Sequence, residues 1–506
     1  MSKNIFNSVK MFKPNSNVFD LTHDVKLTAN MGNLVPIMNI ECVPGDKFNI
    51  SSESLIRFAP LLAPVMQRMD VTMHYFFVPH RLVWDGWEDF ITKQDSSRIM
   101  PIIGYNNTFT SAQQKFLDYM GIPPNPNVLV KNINCLSLAA YQMIYNEYYR
   151  DQNLIAPIDF QLIDGDNTAN NELFVMRKRA WEHDYFTSSL PYPQAGADGV
   201  SLPLGDVKLD LPWSSNPRFV TQGNTVEDGE VDSHSAAGGY IDINNGGVNA
   251  VAYDPNGSLK VDPTTINDLR RAFRLQEWLE KSARGGKRYI ESILAHFGVH
   301  SSDKRLQRPE YITGVKTPVI ISEVLNTTGE TGGLPQGNMA GHAISVAGGH
   351  GGGYFCEEHG HIIGIMSVMP KPSYQQGLPK QFLKRDAFDY YWPSFANIGE
   401  QEVVNDEIYA YGGTGTNVFG YVPRYAEYKY TPSRVAGEFR TSLDYWHLGR
   451  KFASQPALNQ TFIECDPAAT TRIFAVTGDT DHLYCQVLNK VRAVRRMPKY
   501  GTPGGV

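Results

Sequence analysis

The stretch MDVTMHYFFVP, residues 69–79, decides how the chain is read. Val71, Met73, Tyr75 and Phe77 occupy alternate positions, with Thr72, His74 and Phe76 between them. A repeat of two belongs to an extended strand whose side chains leave opposite faces of a sheet. Pro79 has no backbone N–H to continue a ladder, so the run ends there. Trp84, Trp87, Phe90 and Ile91 then recur at helical spacing, which predicts a short helix packed beside the strand.

Further along the chain, SLAAYQMIYNEYYRD (137–151) predicts a helix that turns Leu138, Tyr141, Met143, Ile144 and Tyr148 toward a core. The clearest helix is TTINDLRRAFRLQEWLEKSARGG (264–286). Thr265 with Asp268 makes a start resembling a capping box, and Gly285-Gly286 makes a stop. Leu269, Ala272, Phe273, Leu279 and Ala283 share one stripe of it. KRYIESILAHFG (287–298) reads as another short helix closed by Gly298. Beyond residue 309 the pattern turns back to strands: TPVIISEVLNTT, CEEHGHIIGIMSVMP, NDEIYAYG, RYAEYKYTPS and TFIECDPAATTRIFAV. No internal repeat, heptad run or low-complexity tract is present.

The totals fit this reading. The 506 residues are 42% hydrophobic, enough for a large core, and only 19% charged, while 44 Gly and 31 Pro supply many turns. Aromatics reach 11%, including 26 Tyr. Short strands joined by long connections suit that mixture better than helices do. The five cysteines (Cys42, Cys135, Cys356, Cys465, Cys485) are odd in number, widely spaced and without a C-x-x-C pair. They predict reduced, mostly buried thiols in a cytoplasmic setting. No run of signal-peptide or membrane-spanning length is found, so no membrane insertion is expected.

Residues 195–262 stand apart. They hold ten glycines and ten acids against three cations (Lys208, Arg218, Lys260), a net charge of −7, with little apolar periodicity. Ordinary connections run about 4–6 residues, so a segment this long is either a solvated linker or a functional protrusion. Tyr240, Ile241, Ile243, Val248, Val251 and Tyr253 give it something to fold with.

Catalytic patterns are missing. The chain has no G-x-x-x-x-G-K-[ST], H-E-x-x-H or G-x-S-x-G sequence. GGHGGGYF (348–355) lacks the lysine or helix start that holds phosphate and reads as a loop. In GYFCEEHGHIIG, Gly353, His359 and His361 match half of a cupin metal motif. Ile365 and Met366 stand where its glutamate belongs, and Cys356 is the only substitute thiolate nearby. Neither a catalytic residue nor a metal ligand nor a cofactor is assigned, and no enzyme is expected.

Several long blocks together carry a resemblance. RFAPLLAPVMQRMDVTMHYFFVPHRLVWDGWEDFIT, YNEYYRDQN, RGGKRYIESILAHFGVHSSDKRLQRPEYI, and PRYAEYKYTPSRVAGEFR with WHLGRKF resemble, in order, the major capsid proteins of microviruses. These are small single-stranded DNA phages, and the gokushovirus-like branch is the most similar. The resemblance runs from about residue 15 to the end of the chain. It implies a mainly β fold: an eight-stranded antiparallel jelly-roll sandwich with long loop insertions and a few short helices, one capsid domain over 1–506. It implies a T=1 icosahedral shell of sixty copies enclosing a circular single-stranded DNA genome. The expected partners are other copies, that DNA, internal scaffolding, DNA-binding and pilot proteins, and a host surface receptor. The protein would then be a virion component assembled in the bacterial cytoplasm. This branch lacks a separate spike protein, so 195–262 becomes the expected three-fold protrusion and host-attachment surface. Asp228, Glu230, Asp232, Tyr240, Asp242 and Tyr253 are its candidate receptor-facing residues. YYRDQN and WPSFANIGEQEVV suit a core or a subunit interface equally. A jelly-roll metalloenzyme using His359 and His361, or a lectin-like carbohydrate-binding protein, is the alternative.

The end of the chain sharpens the expectation. NKVRAVRRMPKYGTPGGV (489–506) carries five cations and no acid, while the whole chain stands at −6 and would stand at −11 without those five. An acidic shell around DNA needs cations on its inner side. Lys490, Arg492, Arg495, Arg496 and Lys499, with Tyr500, are therefore read as a basic C-terminal tail on the genome. If all five neutralise phosphates, affinity should follow a log–log salt slope of roughly −3.5. Lys3, Lys10 and Lys13 form a weaker second set.

Overall fold

The computed structural model describes residues 15–124, 127–196, 265–325, 339–349, 351–412, 417–476 and 480–500, with short stretches at 200, 207–209, 220–221, 252–253, 259–261 and 478. Two compact units are present, one of residues 1–193 and 283–506, the other of 194–282.

The larger unit is built on two antiparallel sheets. Its strands are β1 (Asn17–Asp20), β2 (His23–Ala29), β3 (Val35–Cys42), β4 (Lys47–Phe58), β5 (Met69–Pro79) and β6 (Glu310–Pro318). They continue as β7 (Ile320–Leu325), β8 (Met339–Ala347), β9 (Gly352–Phe355), β10 (Gly360–Pro370) and β11 (Leu483–Arg495). One sheet runs β1–β11–β4–β8–β7, with β2 also on β11 and β9 also on β4; the other runs β6–β5–β10–β3. Long excursions between strands carry the helices.

The alternation in residues 69–79 does form a strand, and both of its faces are covered. Val71, Met73, Tyr75 and Phe77 enter the core between the sheets, meeting Ile50 and Ile56 of β4 and Val487 and Val491 of β11. Phe76 and Val78 leave the opposite face and pack, with Ile363 and Ile365 of β10, under Trp84, Leu138 and Tyr141. Burying one such side chain contributes about 1.5–3 kcal/mol. Gly364 is required where β10 crosses β5, since a Cβ there would stand 2.6 Å from the Tyr75 ring. One polar bridge crosses the sandwich. Tyr75 Oη donates to Asn489 Oδ1 at 3.0 Å, and Asn489 Nδ2 donates to the Ile37 carbonyl at 2.8 Å. Burial pushes the Tyr75 hydroxyl up to about 12, so it remains a donor.

The helices are largely those expected. Trp87–Thr92 is helical, but Trp84 precedes it and is buried, while Ile91 points outward. Leu136–Ile144 continues into a wider π turn at Tyr145–Tyr149. Ile266–Gly285 starts as read, the Asp268 N–H donating to Thr265 Oγ1 at 3.2 Å, yet Phe273 of its stripe is exposed and Ala272 and Ala283 are buried. Tyr289–Phe297 ends at Gly298, with φ of 68°.

Among the strands, Ile320–Leu325 and Gly360–Pro370 agree with the pattern, while three others do not. NDEIYAYG opens with a 3₁₀ turn at Asn405–Glu407, and RYAEYKYTPS holds a helical turn at Ala426–Lys429. TFIECDPAATTRIFAV is covered by turns at Gln460–Ile463 and Pro467–Ile473. Caps decided that last case. Asn459 Oδ1 accepts from the Phe462 N–H at 3.0 Å, and Asp466 Oδ1 accepts from the Ala468 N–H at 3.3 Å beside Pro467. GGHGGGYF is not wholly a loop, because Gly352–Phe355 pairs with β4.

The basic tail needs the main correction. Asn489 to Arg495 form the end of β11, paired with β4 through Val494 and with β1 through Arg495. Only the residues past Arg495 lie beyond the sheet. Valines and alanine alternate with the cations here, and that apolar half holds the segment in the sheet.

The smaller unit spans residues 194–282, so it covers the 195–262 segment and runs on to Ser282. Its described strands form two antiparallel pairs, Val207–Leu209 with Leu259–Val261 and Val220–Thr221 with Ala252–Tyr253. Tyr253 therefore sits on a short strand. Asp228, Glu230, Asp232, Tyr240 and Asp242 lie outside the described residues.

Candidate nucleic-acid interface

Strand β11 has two unlike sides. Cys485, Val487, Asn489, Val491 and Ala493 are buried in the sandwich, while Tyr484, Gln486, Lys490 and Arg492 are exposed on the outer face. On β4 the matching outer residues include Lys47, Asn49, Glu53 and Arg57, giving direct neighbours Tyr484–Arg57, Arg492–Asn49 and Val494–Lys47. On the other flank, Gln486 stands opposite Lys26 of β2, and Arg492 opposite Asp20 of β1. The bare face thus gathers Lys26, Lys47, Arg57, Lys490 and Arg492 against Asp20, Asp24 and Glu53.

Two of these cations are neutralised locally. Lys26 pairs with Asp24 at 2.5 Å, and Lys490 pairs with Glu53. Among the described residues, no carboxylate forms an ion pair with Arg57, Arg492 or Lys47; the Lys47 ammonium lies 5.9 Å from the Phe355 ring. Below Tyr484 and Arg57 opens a groove of about 850 Å³, lined also by Lys26, Thr28, Lys115 and Tyr119. Lys115 is held by Asp481 at 2.5 Å, and Tyr119 donates to the Thr28 carbonyl at 2.5 Å. An exposed ring beside an unpaired guanidinium can stack on a base while the charge meets a phosphate.

The residues predicted from the sequence divide into three groups. Lys490 and Arg492 join the bare face. Arg495 does not: its guanidinium pairs with buried Asp46 at 3.2 Å, donates to the Glu41 carbonyl at 2.8 Å and lies 5.4 Å from the Phe48 ring. That makes it part of the fold. Arg496, Lys499 and Tyr500 are exposed past the strand, with the Lys499 ammonium 5.9 Å from the Tyr500 ring. Lys3, Lys10 and Lys13 lie outside the described residues. Sequence reasoning missed Lys26, Lys47, Arg57 and Tyr484. The signal was available, because KFNISSESLIRF (47–58) and LYCQVLNKVRAVR (483–495) both alternate apolar with polar residues.

The histidines have another role. The His361 and His80 rings lie 4.9 Å apart, and His80 stands edge-on to Trp87 at 4.3 Å. Burial pushes His80 down to about 3, with His361 and His359 adding to the shift, and pushes His361 down to about 4. Both are neutral packing groups. Among the described residues no three histidine, cysteine or carboxylate side chains converge as metal ligands. All five cysteines are buried and free; burial pushes Cys135, Cys465 and Cys485 up to about 12. Among the described residues no helix is long and apolar enough to cross a membrane.

Comparison with known proteins identifies the family. The family described as "Capsid protein (F protein)" matches residues 8–505. Capsid protein VP1 of Bdellovibrio phage phiMH2K is 38% identical over 96% of this chain and 94% of its own. Capsid protein VP1 of Chlamydia phage 1 is 35% identical over 99% and 98%, and that of Spiroplasma virus 4 is 30% identical over 98% and 96%. The chain therefore belongs to the phage capsid (F protein) family, a structural component of the virion and not an enzyme.

Proposed function

We propose that this protein assembles as sixty copies into a T=1 icosahedral shell around a circular single-stranded DNA, with the bare face of the β11 sheet turned toward the genome. The observation that carries the reading is a set of cations without an ion pair among the described residues, Arg57 beside Tyr484 at one end of the β4–β11 pair and Arg492 and Lys47 toward the other, on an otherwise acidic chain. Polyanion contact needs cations without internal partners, since a paired one must first give up its carboxylate. Arg496, Lys499 and Tyr500 extend the same contact past the strand. The double variant Arg57→Gln/Arg492→Gln should form shells holding less DNA per particle, read as the ratio of absorbance at 260 and 280 nm. Wild-type DNA content would overturn the assignment.

The strand order supports an eight-position jelly roll. Counting β1 with β2 as one interrupted strand on β11, and β8 with β9 as another on β4, leaves four positions in each sheet, with β7 as a hairpin extension. Scaffolding, DNA-binding and pilot proteins are its expected partners during assembly. The 194–282 unit is the proposed host-attachment surface, because a compact unit set into the chain can diverge without disturbing the sheets. Excision of roughly residues 200–255 should leave a shell that assembles but adsorbs poorly. Undiminished adsorption to the host would sink the attachment role.

A further inference from the structure

Arg385 to Ser394, RDAFDYYWPS, are ten consecutive exposed residues, four of them large aromatics. Such a stretch has no core of its own to order it, yet it is built with care. Asp389 Oδ2 accepts from the Arg385 and Asp386 N–H groups at 2.8 and 2.9 Å, and Trp392 Nε1 donates to the Ala387 carbonyl at 2.9 Å. The Trp392 N–H donates to Tyr425 Oη at 3.3 Å, and Tyr391 stands edge-on to Tyr425 at 5.0 Å. Beneath lies Lys384, its side chain 5% exposed and its ammonium 2.9 Å from Glu427. The same ammonium sits 4.0 Å from the Tyr428 ring and 5.4 Å from that of Tyr390. Gln401 Nε2 donates to the other Glu427 oxygen at 2.7 Å.

We infer that this aromatic platform, presenting Phe388, Tyr390, Tyr391, Trp392, Tyr428 and Tyr430, is a contact between two copies of this chain in the shell. The six side chains are 51–61% exposed. Half of each such ring amounts to about 120 Å², so together they offer on the order of 700 Å², close to the roughly 800 Å² that one partner gives to a stable interface. Tyr and Trp anchors on a preordered base keep the entropic penalty of association low. Lys384 is satisfied by Glu427 and Lys380 by Glu407, both at 2.9 Å, and the exposed Arg385 is outnumbered by Asp386 and Asp389 in the same stretch, a balance that suits a protein partner better than a phosphate backbone. The inference rests on membership of the capsid family and is independent of which face meets DNA.

Two measurements test it. First, Tyr391→Ala/Trp392→Ala is compared with wild type and with Tyr411→Ala, an exposed tyrosine outside the platform, by sedimentation of particles from complemented phage lysates. Particle yield should fall at least tenfold in the double variant alone. Second, hydroxyl-radical footprinting of wild-type particles against dissociated wild-type subunits reads the platform without any substitution. Oxidation of Trp392 and Tyr390 should drop several-fold in the particle. Equal oxidation in both states overturns the inference. So does normal particle yield in the double variant, whether or not adsorption or DNA content changes. Absence of wild-type particles would refute the capsid assignment itself, and this contact with it.

Discussion

The two sheets use the same alternation of side chains and put it to opposite ends. In the β6–β5–β10–β3 sheet, the excursion after Pro79 lies over the outer face, so β5 and β10 are apolar on both sides: Phe77 and Ile362 inward, Phe76 and Ile363 outward. In the β11 sheet nothing among the described residues covers the outer face at Tyr484, Lys490 and Arg492, and the alternation stays apolar within and charged without. Packing constrains nearly every position of β5 and β10 in the first sheet. It constrains only half the positions of the second, which leaves the other half open to selection for a ligand. The covered sheet is where stability should be lost, and the bare sheet is where function should be lost.

Acid should separate them most strongly. His80 and His361 lie on the covered side, and their folded values of about 3 and about 4 stand below the unfolded value of 6.5. As pH falls, the unfolded chain takes up protons first. Stability is therefore full above pH 6.5 and declines toward pH 4, by on the order of 5 kcal/mol for the pair. Denaturant melts of the dissociated protein across that range should show the decline, and His80→Phe should remove about half of it; an unchanged slope would mean these rings are not the acid-sensitive groups.

Within β11 the contrast narrows to neighbouring residues. Asn489→Ala strands the Tyr75 hydroxyl and the Ile37 carbonyl inside the sandwich and should remove about 2–3 kcal/mol, seen as a lower denaturation midpoint. Three residues on, Arg492→Gln together with Arg57→Gln should move the same midpoint by less than about 0.5 kcal/mol while lowering DNA content. A large loss of stability in that pair would erase the distinction between the two sides.

How much of this was legible in the sequence depended on whether local pattern and tertiary pairing agreed. Residues 69–79 announced a strand because their alternation is clean and Pro79 closes it. The helix at 266–285 was equally plain from its cap and glycine stop. At 405–412, 424–433 and 461–476, aromatic and β-branched residues imitate strands, and short side-chain caps such as Asn459 and Asp466 turn the backbone instead. The error at the C-terminus had a different origin. Five cations in eighteen residues make charge the dominant local signal, while the valines between them decide the structure. The candidate site was half visible for that reason. Lys490 and Arg492 stand on the bare face, Arg495 is bound into the fold, and Lys26, Lys47 and Arg57 come from strands more than 400 positions away, brought alongside only by sheet register.

Among the described residues, β1 and β2 pair in their sheet only with β11, which is synthesised roughly 450 positions after them. At about 5–20 residues per second, those first strands wait on the order of half a minute for the partner roughly 450 residues downstream. A polypeptide stopped short of residue 483 has no way to bring them home, and the edge of β4 stays open. A shortened polypeptide would therefore leave unpaired strand edges in this sheet, a surface unsuited to close packing with identical neighbours.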